Sequence, residues 1–111
     1  MSFAAWRADG REVAVVGLGR SGVAAARLLA AHGVRVYASD AGKGDPARDA
    51  AAALAGTGIA AEAGRHDHER IARCQALILS PGVPPEAEVV TGARAAGVPI
   101  RAEAEIGRAH V

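Results

Sequence analysis

The sequence predicts an α/β fold of three layers, in which a five-stranded parallel sheet of order 3-2-1-4-5 carries helices on both faces. Three observations support this prediction. Short apolar runs alternate with longer Ala- and Leu-rich segments along the 111 residues. The runs are almost continuously apolar, which is typical of parallel strands covered on both faces. The first run leads directly into a glycine loop and then a helical segment, as in a Rossmann-like domain.

The apolar runs predict five strands. These are expected at residues 13–16, 34–39, 59–62, 76–79 and 98–101. The last is placed at an edge of the sheet, because Pro99 cannot donate to a strand ladder. Residues 1–11 are interpreted as a short lead-in in which Trp6 covers one edge of the sheet, and residues 12–111 as the domain itself.

Helices are expected between the strands, with turn residues at their ends. They are predicted from residue 20 or 21 to 31 and over residues 46–54, 68–73, 86–96 and 103–109. Gly33 is the expected C-terminal cap of the first helix. Asp45 is expected to cap the second, with Pro46 at its first position, and Asp67 to cap the third.

Composition narrows the classes of function. Thirteen basic and twelve acidic residues give a net charge of +1, which argues against a general nucleic-acid surface. No apolar run approaches the ~20 residues that span a bilayer, so no membrane contact is predicted. The single cysteine, Cys74, cannot form an intramolecular disulfide and is interpreted as buried packing. These features predict a cytoplasmic domain.

Two loops are predicted to line one pocket. In a sheet of this order the first and fourth strands are neighbours whose connections leave toward opposite faces, which opens a crevice at their carboxyl ends. The loops that follow these strands are Gly17–Gly22 and Ser80–Val83. In the first loop, Gly17 allows a sharp turn, Gly19 lets a phosphate approach the backbone, and Gly22 lets the helix pack closely on the strand. This arrangement favours nucleotide binding.

The polar residues near these loops each have two interpretations. Asp40 closes the second strand and either accepts hydrogen bonds from a ribose or base, or caps the loop that follows. Ser21 and Arg20 either contact a phosphate or are ordinary residues of a first helical turn. The rigid turn Ser80–Gly82 either presents donors to an oxygen-rich ligand or is only a stiff connection.

Three other patterns are not interpreted as sites. The His-Asp-His run at residues 66–68 is not predicted to bind metal, because alternate loop residues diverge and no further ligand cluster exists. Ser80 has no obvious base and is not a predicted nucleophile. The Gly-Lys-Gly run at residues 42–44 lacks the spacing of a Walker phosphate loop and is interpreted as a surface turn.

The chain resembles the N-terminal domain of Mur ligases, and among them those that add D-glutamate. The segments that carry the resemblance are Val13–Gly22, Val36–Asp40, Leu77–Pro84, Ala95–Ile100 and Glu103–Glu105. The combination of Gly-Leu-Gly-x-Ser-Gly with Ser-Pro-Gly-Val is what makes it specific. The resemblance implies that the domain holds the UDP part of UDP-N-acetylmuramoyl-L-alanine during peptidoglycan synthesis.

The same resemblance implies which residues contact the nucleotide. The diphosphate would meet the loop at Arg20 and Ser21, and the uridine would meet Asp40 and Ala41. The family often has polar residues after the acidic one, and Ala41 and Gly42 depart from that pattern. The other implied contacts are Gly17, Gly19, Gly22, Ser80, Pro81 and Gly82.

In this family, catalysis needs parts that the 111 residues do not contain. ATP and Mg²⁺ act in a central domain with a Gly-Lys-Thr/Ser loop, and a C-terminal domain completes the enzyme. The resemblance therefore implies no cofactor, no metal ligand and no catalytic residue in this domain, and no ligase activity of the fragment alone. Its partners would be the nucleotide substrate and the rest of the ligase.

Three alternatives stay open on the sequence. The glycine loop and Asp40 also fit an NAD-type dinucleotide-binding or regulatory module. The second alternative is a Rossmann-like domain that binds no ligand and serves to dock partners. The third is another amino-acid-adding member of the same family, such as the L-alanine-adding ligase.

Overall fold

The computed structural model describes residues 2–108, with only the backbone at residues 107 and 108. Five strands alternate with helices along the chain. The strands are β1 (Val13–Val16), β2 (Val36–Asp40), β3 (Ala60–Ala63), β4 (Ala76–Leu79) and β5 (Ile100–Ala102). The α-helices are α1 (Phe3–Asp9), α2 (Arg20–Ala31), α3 (Asp45–Ala55), α4 (His68–Ala72) and α5 (Glu88–Ala95), and a 3₁₀ helix covers Glu103–Arg108.

The five strands form one parallel sheet in the order β3-β2-β1-β4-β5. The predicted topology is therefore confirmed, with β1 at the centre between β2 and β4. Three strands begin one or two residues later than predicted, because residues at the helix–strand joints satisfy helix-end hydrogen bonds before the ladder starts. Strand β5, which begins directly after Pro99, lies at an edge of the sheet, as expected.

The alternation of side chains along each strand builds two cores. On one face Val13 and Val15 of β1 pack with α1, α2, α3 and the 3₁₀ helix. On the other face Ala14 and Val16 pack with α4 and α5. All four β1 side chains are buried, which accounts for the almost continuously apolar character of this strand in a sheet covered on both sides.

The first eleven residues contain a helix that the sequence analysis does not assign. Ser2 caps α1 by accepting a hydrogen bond from the backbone N–H of Ala5 at 3.1 Å. Phe3 and Trp6, three positions apart on one side of this helix, are buried in the first core. The side-chain amide of Gln75, next to β4, donates to the carbonyl of Trp6 at 2.9 Å. Helix α1 therefore covers the amino ends of the strands rather than a lateral edge.

The predicted helix caps are partly right. Asp67 caps α4 by accepting from the N–H of Arg70 at 3.0 Å, as expected. The expected cap of α3 is wrong by one position, because Gly44 is the N-cap and Asp45 already lies in the first turn. The C-cap of α2 is His32, one position before the predicted Gly33. Gly33 follows it with a φ of +80° and donates its N–H to the carbonyl of Ala30.

Two further predictions concern single residues. Cys74 is buried, and burial raises the pKa of its thiol to about 11, so it is an apolar packing residue as predicted. The predicted last helical segment is a 3₁₀ helix, and its predicted final residue, Ala109, lies outside the described residues. Among the helices of residues 2–108, none is long and apolar enough to cross a membrane.

Candidate functional site

The strand order reverses between β1 and β4, and a cleft of about 440 Å³ opens near their carboxyl ends. Its walls come from the loops after β1, β2, β3 and β4 and from the first turn of α5. The lining residues are Gly17, Asp40, Ala41, His66, His68, Gly82, Val83, Pro84, Ala87, Glu88 and Val89. The volume falls in the range of about 300–1,000 Å³ that small-molecule sites occupy.

The loops after β1 and β4 touch each other at the floor of this cleft. The hydroxyl of Ser80 donates to the carbonyl oxygen of Gly17 at 3.0 Å. Gly17 has a φ of +98°, and a Cβ there would lie 2.9 Å from both the Ser80 Cβ and a methyl of Val83. Only glycine fits this conformation and this contact. The two predicted loops are thus adjacent, and the cleft lies beside their contact.

The carboxylate of Asp40 joins the β2 end to the glycine loop. One oxygen accepts from the backbone N–H of Leu18 and the other from that of Gly42, both at 2.7 Å. The second interpretation of Asp40, as the cap of the loop that follows, is therefore correct. Its contact with a ribose or base stays a prediction, and the remaining lone pairs of each oxygen leave room for one.

His66 forms a polar wall of the cleft next to Asp40. Its Nδ1 lies 2.7 Å from the hydroxyl oxygen of Ser39, a residue that is fully buried. Burial and the neighbouring His68 lower the pKa of His66, which favours its neutral imidazole. The ring of His68 stands edge-on to it at 6.4 Å between centroids.

Helix α2 begins beside this cleft with an open N-terminus. Its N-cap is Gly19, which offers no side-chain cap, and nothing lies within 4 Å of a Cβ built on that glycine. Arg20 and Ser21 are exposed in the first turn. Gly22, unlike Gly19, has no room for a side chain, because a Cβ there would lie 1.8 Å from the carbonyl oxygen of Gly17. The first turn is thus accessible from solvent while its inner side is packed tightly on the loop.

The predicted site residues fall into three groups. Four line the cleft, namely Gly17, Asp40, Ala41 and Gly82. Two, Gly19 and Arg20, border a second depression between α2 and α3. Gly22 and Ser80 are buried beneath the loops, whereas Ser21 and Pro81 are exposed near them. The structure brings the whole set to one end of the sheet.

Three polar residues of the cleft were not predicted as contacts. They are His66, His68 and Glu88. The sequence suggests the two histidines only as possible metal ligands, and among the described residues no group of three His, Cys, Asp or Glu side chains is placed to hold a metal ion. Their place in the sequence could have indicated a role in the cleft, because both histidines follow β3, whose carboxyl end lies beside that of β2.

Residues 11–102 match the family described as "Mur ligase MurD-like, N-terminal domain". The chain belongs to this family. Curated relatives of this MurD-like domain include two UDP-N-acetylmuramoylalanine--D-glutamate ligases. The one from Frankia casuarinae is 42% identical over 102 residues, which cover 87% of this chain and 20% of that protein. The one from Geobacter metallireducens is 36% identical over 93% of this chain and 23% of that protein.

A solved structure has the same fold as this MurD-like domain. A pseudomurein peptide ligase type C from Methanothermus fervidus superposes with a TM-score of 0.73 at 23% sequence identity, over 88% of this chain and 20% of that one. At this identity the likeness concerns the fold alone. The MurD-like domain spans about a fifth of the length of the curated relatives it matches.

Proposed function

We propose that this MurD-like domain anchors the UDP part of UDP-N-acetylmuramoyl-L-alanine for a ligase that adds D-glutamate to that nucleotide. The observation that carries the proposal is the cleft beside the joined Gly17 and Ser80 loops, at the point where the strand order reverses. Open α/β sheets bind ligands at this point. The D-glutamate-adding relatives named above supply the choice of nucleotide.

In this proposal the diphosphate lies at the N-terminus of α2. The first-turn N–H groups of a helix have no partner within the helix, and the helix dipole favours an anion there. Gly19 leaves the approach open, and the exposed Arg20 adds a positive charge. The uridine then extends over the end of β2 toward Asp40 and Ala41.

We further propose that the domain contributes binding and not chemistry. The activation of a carboxylate by ATP and Mg²⁺ would take place on other domains of a full-length, cytoplasmic enzyme, and the amide bond to D-glutamate would form there. Holding the distant nucleotide end of the substrate positions its reacting carboxylate, which is how remote binding energy assists a reaction. The isolated 111-residue chain is expected to release no phosphate from ATP in the presence of both substrates.

The test is a calorimetric titration of the chain with UDP, UDP-N-acetylmuramoyl-L-alanine and NAD. We expect saturable binding of the two uridine nucleotides and none of NAD at the same concentration. Gly19→Ser is the matched variant: its backbone, with φ −68° and ψ −175°, suits serine, and serine is a good N-cap. Its hydroxyl would take an N–H that the phosphate needs, so binding should weaken while the fold is retained.

Two results would contradict the proposal. Selective binding of NAD would assign the cleft to a dinucleotide. An absence of saturable binding by all three ligands, with a folded chain, would favour a domain that docks partners without a nucleotide.

A further inference from the structure

We infer that His66 is a specificity-determining residue that hydrogen-bonds the nucleobase through its Nε2 atom. The inference rests on the proposed function, because it takes the cleft to hold a uridine nucleotide. His66 lies in the loop after β3, which is separate in sequence from both the glycine loop and the Ser-Pro-Gly turn.

The polar side chains of the cleft differ in how firmly they are held. They are Asp40, His66, His68 and Glu88. His68 and Glu88 are exposed, so they would lose side-chain freedom when they order around a ligand. Both oxygens of Asp40 already accept backbone hydrogen bonds. His66 combines partial burial with a fixed ring.

Ser39 fixes the orientation of this ring. Its hydroxyl oxygen lies 2.7 Å from Nδ1 and is held inside the sheet, where Ser39 is fully buried. The backbone of Ser39 is fixed as well, since its carbonyl accepts the N–H of Gly17 at 2.9 Å. With Nδ1 occupied, Nε2 is the ring nitrogen that remains to meet a molecule in the cleft.

The chemistry of a neutral imidazole suits a uracil ring. Burial and His68 lower the pKa of His66, while Asp40 and Glu62 act in the opposite direction. A neutral ring carries one donor and one acceptor nitrogen. The imide edge of uracil offers two carbonyl acceptors around one N–H donor, so either tautomer of His66 finds a partner on it. Asp40 shares this wall, which places His66 at the nucleoside end of the proposed ligand.

Three substitutions of His66 separate this hydrogen bond from other roles of the ring. Gln places an amide near the position of Nε2, Asn places one near Nδ1, and Phe keeps a flat ring without polar atoms. We expect His66→Gln to bind UDP within about threefold of the parent chain. His66→Asn and His66→Phe should each lose about fivefold, the effect of one ordinary hydrogen bond. Glu69→Gln, an exposed residue of α4 outside the cleft lining, is the control and should bind as the parent does.

A second measurement needs no variant. In the ¹⁵N NMR spectrum of the parent chain, the Nε2 signal of His66 should move on addition of UDP more than the ring signals of His68.

Each result has one meaning. If the parent chain fails to bind UDP, the proposed function fails first and this inference falls with it. If the parent binds UDP, three results overturn the inference alone: equal affinity in all variants, retention in His66→Phe with loss in His66→Gln, or equal loss in all three. If the Nε2 signal of His66 does not move in the UDP complex, the inference is also overturned. This measurement uses the parent chain, so it does not depend on whether any variant folds.

Discussion

The two ends of the sheet are built differently. At the amino ends, α1 closes the strands with large side chains. There the Nε and Nη2 groups of Arg70 donate to the two carboxylate oxygens of Glu12 at 2.8 and 2.7 Å. At the carboxyl ends, the backbone itself makes the contacts, through Gly17 and through N–H groups that meet Asp40. The cleft beside the two predicted loops lies at the carboxyl end. At the amino end, Glu12, Arg35 and Arg70 border two smaller depressions of about 360 and 380 Å³.

From this difference we predict that one small sheet separates stability from ligand binding. Side-chain packing and ion pairs hold the amino end, so a substitution there should change the free energy of unfolding and leave the cleft intact. Glycine turns and buried hydroxyls hold the carboxyl end, so a substitution that disturbs the packing of these turns should change both properties. The following variants test that separation, from the largest expected effect to the smallest.

The largest effect is expected at the amino end from Trp6→Ala. Trp6 is buried in the core that α1 shares with the sheet, and truncation of a buried Trp costs about 3–5 kcal/mol. Urea unfolding should show this loss, while the folded protein should bind UDP as before. Ala4→Ser, on the exposed side of α1, is the control and should stay within about 0.5 kcal/mol. A loss of UDP affinity in Trp6→Ala would mean that the two ends are not independent.

At the carboxyl end, Gly22→Ala should destabilise by about 3 kcal/mol. The added Cβ would lie 1.8 Å from the Gly17 carbonyl oxygen, so the loop or α2 must move, a cost at the upper end of that for overpacked sites. UDP binding should weaken together with stability. Gly19→Ser has no such clash and should change the unfolding free energy by less than about 0.5 kcal/mol. Equal stabilities for the two variants would refute this assignment of the glycines.

A smaller effect is expected from Glu12→Gln. Side-chain exposure of 16% for Glu12 and 37% for Arg70 makes this pair more buried than an ordinary surface pair. Its loss should cost about 1–2 kcal/mol, less at high salt. Arg48→Gln removes a contact of 3.9 Å to Asp45 between side chains that are mostly exposed, and it should change stability by less than about 0.5 kcal/mol. Urea midpoints at low and high salt compare the two; equal changes would contradict the distinction.

The smallest expected effect concerns the pH dependence of stability, to which His66 at the carboxyl end and Glu12 at the amino end contribute in different pH ranges. Burial and His68 lower the pKa of His66 below 6.5, so the unfolded chain binds more protons and stability falls as the pH drops from about 6.5. The Arg70 hydrogen bond lowers the pKa of Glu12 below 4.5, so its contribution is lost only in more acidic solution. Urea midpoints at about pH 7.5 and about pH 5.5 should differ less in His66→Gln than in the parent chain. An unchanged difference would count against a neutral, half-buried His66.

Much of the fold could be read from local sequence features. The glycine loop after an apolar run determined β1 and α2, and Pro99 indicated an edge. Helix α1 was missed although Ser2, Phe3 and Trp6 carry its signal, because seven residues with few aliphatic side chains resemble a lead-in. Its stability comes from packing on the sheet, which local propensity does not report.

The site was predictable where it depends on backbone turns, and less so where it depends on packing. Gly17 and Gly82 were placed on one cleft by topology alone. The sequence could not show that the Ser80 hydroxyl is directed to Gly17, or that Asp40 is bonded to Leu18. The role of His66 was also hidden, since its partner Ser39 lies 27 positions earlier, on a different strand.

The hydrogen bond from Ser80 to Gly17 spans 63 positions of the chain. On the ribosome, the glycine loop emerges long before its partner, and it cannot take its final shape until β4 has been synthesised and docked beside β1. Nucleotide recognition should therefore arise late and abruptly during synthesis, and a nascent chain that stops short of residue 80 should have no partial affinity for UDP.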